Sequence, residues 1–347
     1  MKTKLKEIVQ PIVKWYQAQE KTLPWKQDKD PYHVWISEIM LQQTRIEAVK
    51  KYYIRFMEQL PTIQDVANAS EEQLLKLWEG LGYYSRVRNI KKAAIQIIQE
   101  NQGKMPTNYK ELLKMPGIGD YTAGAIASIS YGEKVPAVDG NVLRVISRIL
   151  ASKENVLLPE TKKDITNQLQ EIMPEEAGDF NEGLMELGEK ICLPNTTPIC
   201  NKCPIQKYCT ACKENLTTEI PVRIKKQKRK IEKRTIFILE YKNKIAINKR
   251  PKTGILANLY EFPNILGEVT EQEIPQILKQ WNIQFKNLKM KKSAKHIFTH
   301  IEWDMIAYEI EVKNKNTIWT WVTEQEMEKQ YPLPTAFKKL HEKSNDL

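Results

Sequence analysis

Four closely spaced cysteines are the residues best suited to hold a metal: Cys192, Cys200, Cys203 and Cys209. Four thiolates are the ligand set of a tetrahedral zinc site or of a [4Fe–4S] cluster, and the spacing alone favours zinc. The fifth cysteine, Cys212, lies shortly after Cys209 and is expected to take no part in holding the metal. Because disulfide frameworks join distant parts of small secreted domains, this clustering argues against one.

Two glycines, Gly117 and Gly119, lie between two helical patterns in the segment MPGIGDYTAGAIAS. Glycine permits a tight turn that exposes backbone N–H groups at the start of the second helix, where a phosphate can bind. A bare Gly-x-Gly is more often an ordinary turn between helices. Further along, Asp139 stands directly before another helical pattern, and a carboxylate there is normally a helix N-cap.

Glu38 lies among apolar neighbours in the segment VWISEIMLQQTR. Apolar residues recur at helical spacing from Pro31 to about Met57, with Asp30 as a suitable cap, so we predict one long amphipathic helix. Most glutamates on helices are solvated, so the position of Glu38 alone does not make it catalytic.

The elements that carry these residues are helical up to Cys212, and short β-rich stretches follow. A basic run without apolar period, 223–230, indicates a linker. The predicted strands are 235–241, 244–248, 286–290 and 305–311, with helical patterns around 271–281 and 323–330. We therefore predict a mainly α N-terminal domain (1–212), a basic linker (213–232) and a C-terminal α+β domain (233–347).

The charge balance favours a polyanionic partner, because 54 Lys and Arg face 43 Asp and Glu and give a net charge of +11 over 347 residues. Nucleic acid is preferred over an anionic membrane. The sequence contains neither an apolar signal segment nor a run near the roughly 18 uncharged residues of a membrane span. We expect a cytoplasmic, nucleoid-associated bacterial protein without membrane contact.

Several motifs together resemble the helix-hairpin-helix DNA glycosylases and, among them, the adenine DNA glycosylases of the MutY type. The segment at Gly117 and Gly119 resembles the hairpin whose N–H groups hold a DNA phosphate. Asp139 stands at the spacing of the superfamily's catalytic aspartate, and WISEIMLQQT resembles the signature in which a glutamate, here Glu38, protonates adenine. The resemblance spans nearly the whole chain.

This resemblance implies a monomeric, monofunctional glycosylase of base excision repair that removes adenine opposite 8-oxoguanine or guanine in double-stranded DNA. Within 1–212 it implies a helix-hairpin-helix lobe (30–135) and a cluster lobe (1–29 with 136–212). Protonating adenine at N7 needs an acid that is still protonated near neutral pH, whereas a free glutamate has a pKa of about 4.3, so burial must raise the pKa of Glu38. An ionised Asp139 would then stabilise the oxocarbenium-like sugar.

The residue after Gly119-Asp120 separates two branches of the superfamily. Endonuclease III relatives have a lysine there, whose amine forms a Schiff base that leads to strand cleavage. Here it is Tyr121, so we predict base excision without efficient β-elimination. The resemblance assigns Tyr121 and Asn141 to positioning and electrostatic support.

A flipped adenine also needs a pocket and a side chain that replaces it in the duplex. The resemblance supplies Trp25, Lys26, Gln43, Tyr83 and Glu182. Gln42, Gln43 and Thr44 follow Glu38 by roughly one helical turn, about 6 Å, so they can face DNA while the carboxylate faces the base. Trp25 would line the pocket, Glu182 would read the base edge, and Gln43 and Tyr83 would wedge the duplex. Lys26 replaces the family's usual arginine and loses a bidentate contact. By residue type alone, Trp25 and Tyr83 would be core residues.

The match to the glycosylase cysteine motif turns the prediction from zinc to a [4Fe–4S] cluster, although Cys192 and Cys200 are separated by seven residues where the family normally has six. The segment NKRPKTGILANLYEFP resembles Nudix-fold domains. The Nudix hydrolase box is absent from this chain, so the domain is expected to recognise a base and not to hydrolyse a pyrophosphate. HIFTH resembles the family's loop for 8-oxoguanine and gives Phe298, Thr299 and His300.

Two rival functions remain. A glycosylase/lyase of the endonuclease III type is disfavoured by Tyr121 and by the second domain. A non-catalytic iron–sulfur protein that binds DNA or senses redox state would not require Glu38 together with Asp139.

Overall fold

The computed structural model describes residues 2–224 and 229–341, which form two compact units. The first unit takes the chain up to Ala69 and resumes at Arg88; the second combines Ser70–Val87 with the C-terminal part of the chain. Part of the predicted linker, 225–228, lies outside the described residues, and the linker's bounds stay a prediction. The mainly α region followed by an α+β domain is confirmed.

The helices are α1 (Lys2–Gln17), α2 (Pro31–Leu41), α3 (Ile46–Gln59), α4 (Ile63–Asn68), α5 (Glu71–Leu77), α6 (Ser85–Asn101), α7 (Tyr109–Leu112), α8 (Asp120–Tyr131), α9 (Gly140–Leu150), α10 (Pro159–Gln170), α11 (Ala177–Lys190), α12 (Thr210–Lys213), α13 (Ile274–Gln280), α14 (Glu324–Gln330) and α15 (Thr335–His341). The strands are β1 (Lys230–Tyr241), β2 (Lys244–Lys249), β3 (Tyr260–Glu261), β4 (Asn264–Leu266), β5 (Phe285–Ile297), β6 (Ile301–Val312) and β7 (Thr320–Val322).

The single long helix predicted from Pro31 is wrong in one respect, because the chain leaves the helical conformation between α2 and α3. Its start is as expected, since the Asp30 side chain accepts a hydrogen bond from the Tyr32 N–H and Pro31 occupies the first turn. Gln42 has ψ of 110°, outside the helical range, and Gln43 has φ of 59°, a left-handed value that an α-helix cannot contain. Apolar periodicity hides this break because both helices bury apolar side chains.

A continuous apolar core joins α1, α9 and α11 in the first unit, with Ile12, Val145 and Leu184 among its buried residues. The helix α11 comes close to the start of α9 at Gly188, where a Cβ atom would lie 2.7 Å from the Cβ of Asn141. Only glycine fits this approach, which brings α11 beside the N-terminal end of α9.

A mixed sheet forms the second unit, in the order β3-β2-β1-β6-β5, with β4 pairing with β1 and β7 with β2. The pair β1 and β6 is parallel, and the remaining pairs are antiparallel. Side chains alternate along β1, so Ile238 packs with Phe337 of α15 on one face and Phe237 packs with Leu278 of α13 on the other. The sheet thus lies between helices on both faces.

Candidate functional site

A cavity of about 1070 Å³ opens in the first unit and collects most of the residues expected to act on the base. Its lining includes Trp25, Lys26, Glu38, Gln42, Gln43, Thr44, Gly119, Tyr121, Asp139, Asn141 and Glu182. These residues come from α2, α8, α9, α11, the segments next to them and the short 3-10 turn Pro24–Lys26 that precedes α2. Tyr83 and the segment Phe298, Thr299 and His300 belong to the second unit.

Glu38 is buried on α2, with 8% of its surface exposed. The hydroxyl of Tyr121 on α8 donates a hydrogen bond to its Oε2 atom. Burial raises the pKa of Glu38 to about 7; the Tyr121 hydrogen bond opposes this rise, whereas the negative charges of Glu182 and Asp139 add to it. A glutamate with such a pKa can carry a proton near neutral pH.

Asp139 caps α9 as its sequence position predicts. Its Oδ1 atom accepts hydrogen bonds from the N–H groups of Asn141 and Val142, at 2.9 Å and 2.8 Å. Its Oδ2 atom accepts a bond of 2.8 Å from the side-chain amide of Asn141. Burial raises the pKa of Asp139 above its usual value, and these three hydrogen bonds with the charge of Arg144 offset only part of the rise. The cap therefore fixes the carboxylate and favours its ionised form.

Sequence reasoning missed Arg144, which is buried one turn after Asn141 on α9. Its guanidinium donates to Asn141 Oδ1 at 2.9 Å, to the Gly188 carbonyl at 2.7 Å and to the Cys192 carbonyl at 2.8 Å. Asn141 is thereby held with its amide N–H toward Asp139. The only sequence signal was the three-residue spacing from Asn141 on a helix.

Lys26 lies beside two carboxylates of α11, at 3.4 Å from Glu182 Oε1 and 2.8 Å from Glu186 Oε2. Burial alone would lower the pKa of Lys26, but the charges of Glu182 and Glu186 raise it above its usual value. Glu186 also pairs with Lys190 and was not singled out in the sequence. The two predicted pocket residues Lys26 and Glu182 are thus partners of each other.

The turn between α7 and α8 contains the two glycines of the predicted phosphate-binding hairpin. Gly117 has φ of 78°, and a Cβ atom there would lie 2.6 Å from the Cβ of Asn89, so glycine is required. Gly119 is the N-cap residue of α8, and a Cβ atom added there would have no heavy-atom neighbour within 4 Å among the described residues. The turn can therefore accept a phosphate close to the α8 N–H groups.

Gln42, Gln43 and Thr44 lie in the break between α2 and α3 and not on a helix face. Gln42 is 3.4 Å from the Thr122 hydroxyl, whereas Gln43 is exposed. Trp25 is buried and packs edge-on against Tyr53, with ring centroids 5.4 Å apart. The Trp25 ring is therefore part of the core and also lines the cavity.

Tyr83 is 46% exposed and has a left-handed φ of 47° in the second unit. The Phe298, Thr299 and His300 loop joins β5 to β6. Phe298 packs against Trp303, with centroids 4.8 Å apart, and Thr299 and His300 are exposed. The loop is therefore anchored by the Phe298 ring, and the side chains of Thr299 and His300 face solvent.

The four cysteines predicted to hold a cluster, Cys192, Cys200, Cys203 and Cys209, line one small cavity, and Cys212 lines it too. Arg148 donates to the Cys192 sulfur at 3.2 Å. Within residues 2–224 and 229–341, no three His, Cys, Asp or Glu side chains are close enough to enclose a metal ion. The four thiols have the donor chemistry of an iron–sulfur site, and Cys212 is nearer to it than expected.

Two family models match this chain, one in the helical region and one in the C-terminal region. Residues 36–175 match the HhH-GPD superfamily of base excision DNA repair proteins, and residues 235–343 match the NUDIX domain. The solved structure of a thermostable thymine-DNA glycosylase is 29% identical with a TM-score of 0.55, and the match covers 61% of this chain and 98% of that chain. None of the helices described here is long and apolar enough to cross a membrane.

Two curated relatives extend the match beyond a single domain. The adenine DNA glycosylase of Homo sapiens is 31% identical over an alignment 398 positions long, which covers 95% of this chain and 72% of the relative. The adenine DNA glycosylase of Buchnera aphidicola subsp. Schizaphis graminum is 38% identical over 298 residues and 85% of each chain. On this identity, coverage and order of domains, the chain belongs to the adenine DNA glycosylase family.

Proposed function

We propose that this chain is a monofunctional DNA glycosylase of base excision repair that hydrolyses the bond between adenine and deoxyribose when adenine is paired with 8-oxoguanine or guanine. The observation that carries the proposal is the buried Glu38 carboxyl, whose pKa lies at about 7 in the same cavity as the capped Asp139. One carboxyl is suited to donate a proton while the other remains ionised.

The reaction follows from these two states. The Tyr121 hydroxyl donates its hydrogen bond to Glu38 Oε2, so a proton on Oε1 is available to N7 of a flipped adenine. The bond from C1′ to N9 then breaks with its electron pair on the base, and the sugar gains positive charge. Asp139 stabilises that charge until water adds to C1′ and loses a proton. The product is an abasic site in an uncut strand.

Lys26 does not replace the lysine of the lyase branch, because its ammonium is held by Glu182 and Glu186. An amine whose pKa is raised in this way stays protonated and is a poor nucleophile. Together with Tyr121 at the position of the lyase lysine, this supports base excision without strand cleavage.

Single-turnover incubation with duplexes that hold adenine opposite 8-oxoguanine, guanine or thymine tests the proposed function. We expect strand breaks with the first two duplexes only after treatment with alkali, and none with the third. Breaks that form without alkali would instead identify a glycosylase/lyase.

The rate of excision should fall as the pH rises through about 7, because the active form of Glu38 is the protonated one. Above that pH, we expect a loss of about tenfold for each pH unit. Tyr121→Phe removes a hydrogen bond that favours the ionised carboxylate, so the pKa rises and the descending limb moves to higher pH. The pH profile of the single-turnover rate measures both effects.

Tyr131→Phe is a matched control, because its hydroxyl is 3.3 Å from the Met105 carbonyl and the residue does not line the cavity. A descending limb that stays in place, or moves to lower pH, in Tyr121→Phe would contradict the assignment of the proton donor.

We also propose that Cys192, Cys200, Cys203 and Cys209 hold a [4Fe–4S] cluster. The shared cavity of their thiols supports this, and the extra residue between Cys192 and Cys200 is accommodated in a loop. The cluster would supply a structural anchor for the loop, with no part in the bond-breaking step. Analysis of the purified protein should find iron and inorganic sulfide in equal amounts, whereas zinc alone would contradict it.

The loop of Phe298, Thr299 and His300 is proposed to read 8-oxoguanine. Thr299 and His300 are exposed at the turn, where a hydroxyl, an imidazole and backbone groups can meet the N7–H and 8-oxo edge. Replacing Thr299 by alanine should reduce the preference for 8-oxoguanine over guanine by roughly tenfold, since a good base contact contributes about 1–3 kcal/mol. The ratio of the two single-turnover efficiencies measures the preference.

Thr317→Ala, at another exposed threonine of the second unit, is the control and should keep the wild-type ratio. An unchanged ratio in Thr299→Ala together with His300→Ala would remove the reader assignment.

A further inference from the structure

The segment Ser70–Val87 lies early in the sequence but packs within the second unit, and it carries Tyr83. We propose that Glu79 is a positioning residue that fixes the loop of Tyr83 to residues 331–341 of the second unit, so that the wedge residue Tyr83 and the reading loop of Phe298, Thr299 and His300 act as one body. This inference rests on the proposed function, because it assigns a task to the relation between Tyr83 and the loop at Phe298.

Glu79 follows α5 and has only 8% of its side chain exposed. Its Oε1 atom accepts a hydrogen bond of 2.8 Å from the Leu333 N–H and lies 3.0 Å from the Lys338 ammonium. Its Oε2 atom lies 2.6 Å from the Lys76 ammonium. One nearly buried carboxylate therefore joins α5 to the segment before α15 and to α15 itself.

Other contacts hold the same segment at separate points. The Asn258 amide donates to Glu71 Oε1 at 2.9 Å, which joins the start of α5 to the loop before β3. The Lys76 ammonium is 3.5 Å from the Tyr331 carbonyl. Lys249 and Glu72 form an ion pair of 2.9 Å, but both side chains are well exposed, so this pair contributes little. Glu79 is thus the buried member of the set.

The path from Glu79 to Tyr83 is short and stiff. Gly80, Gly82 and Tyr83 all have positive φ, so the backbone turns tightly between Glu79 and Tyr83. The Trp78 indole donates to the Gly82 carbonyl at 3.1 Å, and Arg86 donates to the Leu81 and Gly82 carbonyls at 3.0 Å and 3.1 Å. A displacement of Glu79 would therefore move Tyr83 as well.

A fixed spacing has a consequence for lesion recognition. When Tyr83 and the reading loop are held in one body, the loop that binds the lesion also positions Tyr83. No further conformational entropy is then lost to order Tyr83. When they are uncoupled, the contact to 8-oxoguanine no longer helps to insert Tyr83. The preference for the lesion should then fall while the chemistry of adenine release continues.

The test uses the full chain with Glu79→Gln and Glu79→Ala, and with Glu72→Gln as the matched control in the exposed pair. Duplexes carry 2-aminopurine next to the base opposite adenine, so that its fluorescence reports unstacking by the wedge. We expect Glu79→Ala to lose about tenfold of the preference for 8-oxoguanine over guanine, within the roughly 5–150-fold range of coupled sites, and to lose most of the fluorescence rise. Glu72→Gln should behave as wild type.

Glu79→Gln keeps an oxygen that can accept the Leu333 N–H but loses the charge, so an intermediate loss is expected, and thermal unfolding shows whether each variant is folded. Folded Glu79 variants that keep both the preference and the fluorescence rise would overturn the inference. An equal loss on 8-oxoguanine and guanine duplexes would overturn it too. If wild type itself has no preference for 8-oxoguanine, the proposed function fails instead, and the fluorescence comparison alone then decides on Glu79.

Discussion

Replacing Glu38 with glutamine is expected to reduce the rate of adenine release by about 10²–10⁴-fold, the usual contribution of a general acid. Glutamine has nearly the same shape, and its amide oxygen can still accept the hydrogen bond from Tyr121. The change removes the transferable proton and adds no charge to a buried position. Single-turnover kinetics at saturating enzyme isolate this loss from any change in DNA affinity.

The same substitution at Glu189 is a suitable control. Glu189 lines the same cavity at an exposed position, and Glu189→Gln should keep most of the activity. If Glu38→Gln excised adenine at a wild-type rate and with an unchanged pH profile, the proton would have to come from another group.

Asp139→Asn should also reduce the excision rate, by roughly 10²–10³-fold, because an amide cannot offset the positive charge of the sugar. Asparagine is as good an N-cap as aspartate, so the amide oxygen keeps the bonds from the Asn141 and Val142 N–H groups and α9 remains formed. We therefore expect DNA binding, measured on an uncleaved duplex, to remain close to that of wild type. The rate and the affinity should separate in this variant.

Asp120→Asn provides the comparison, because Asp120 is an exposed carboxylate in the first turn of α8 that lines the same cavity. It should keep the wild-type rate. Loss of binding in Asp139→Asn in parallel with the rate would instead indicate a structural role for Asp139 as the cap of α9.

The sequence was most informative where local chemistry decides the structure. Local hydrogen bonds decide two features, because the Asp139 and Asp30 side chains each cap the helix that follows them. A third, the turn at Gly117, depends on the positive φ that glycine permits. The predicted strands fall within β1, β2, β5 and β6. The role of each site residue came only from the resemblance and stays a prediction.

The remaining features depend on partners that are remote in sequence. The break at Gln43 contains no residue that normally ends a helix, and β5 runs past its predicted end with many exposed residues. Lys26 meets Glu186 across 160 residues, and Glu79 meets Leu333 across 254. Such pairs have no local period or motif, so only the folded chain reveals them.

The proposed function requires that the cavity with Glu38 and Asp139 releases adenine and leaves the strand intact. Both properties can be measured in one experiment, by chromatography of the free base from a duplex with adenine opposite 8-oxoguanine, beside strand integrity before alkali. We expect one adenine for each abasic site, with the strand uncut until alkali is added. Adenine that remains in the duplex after incubation with excess purified protein would refute the proposed function.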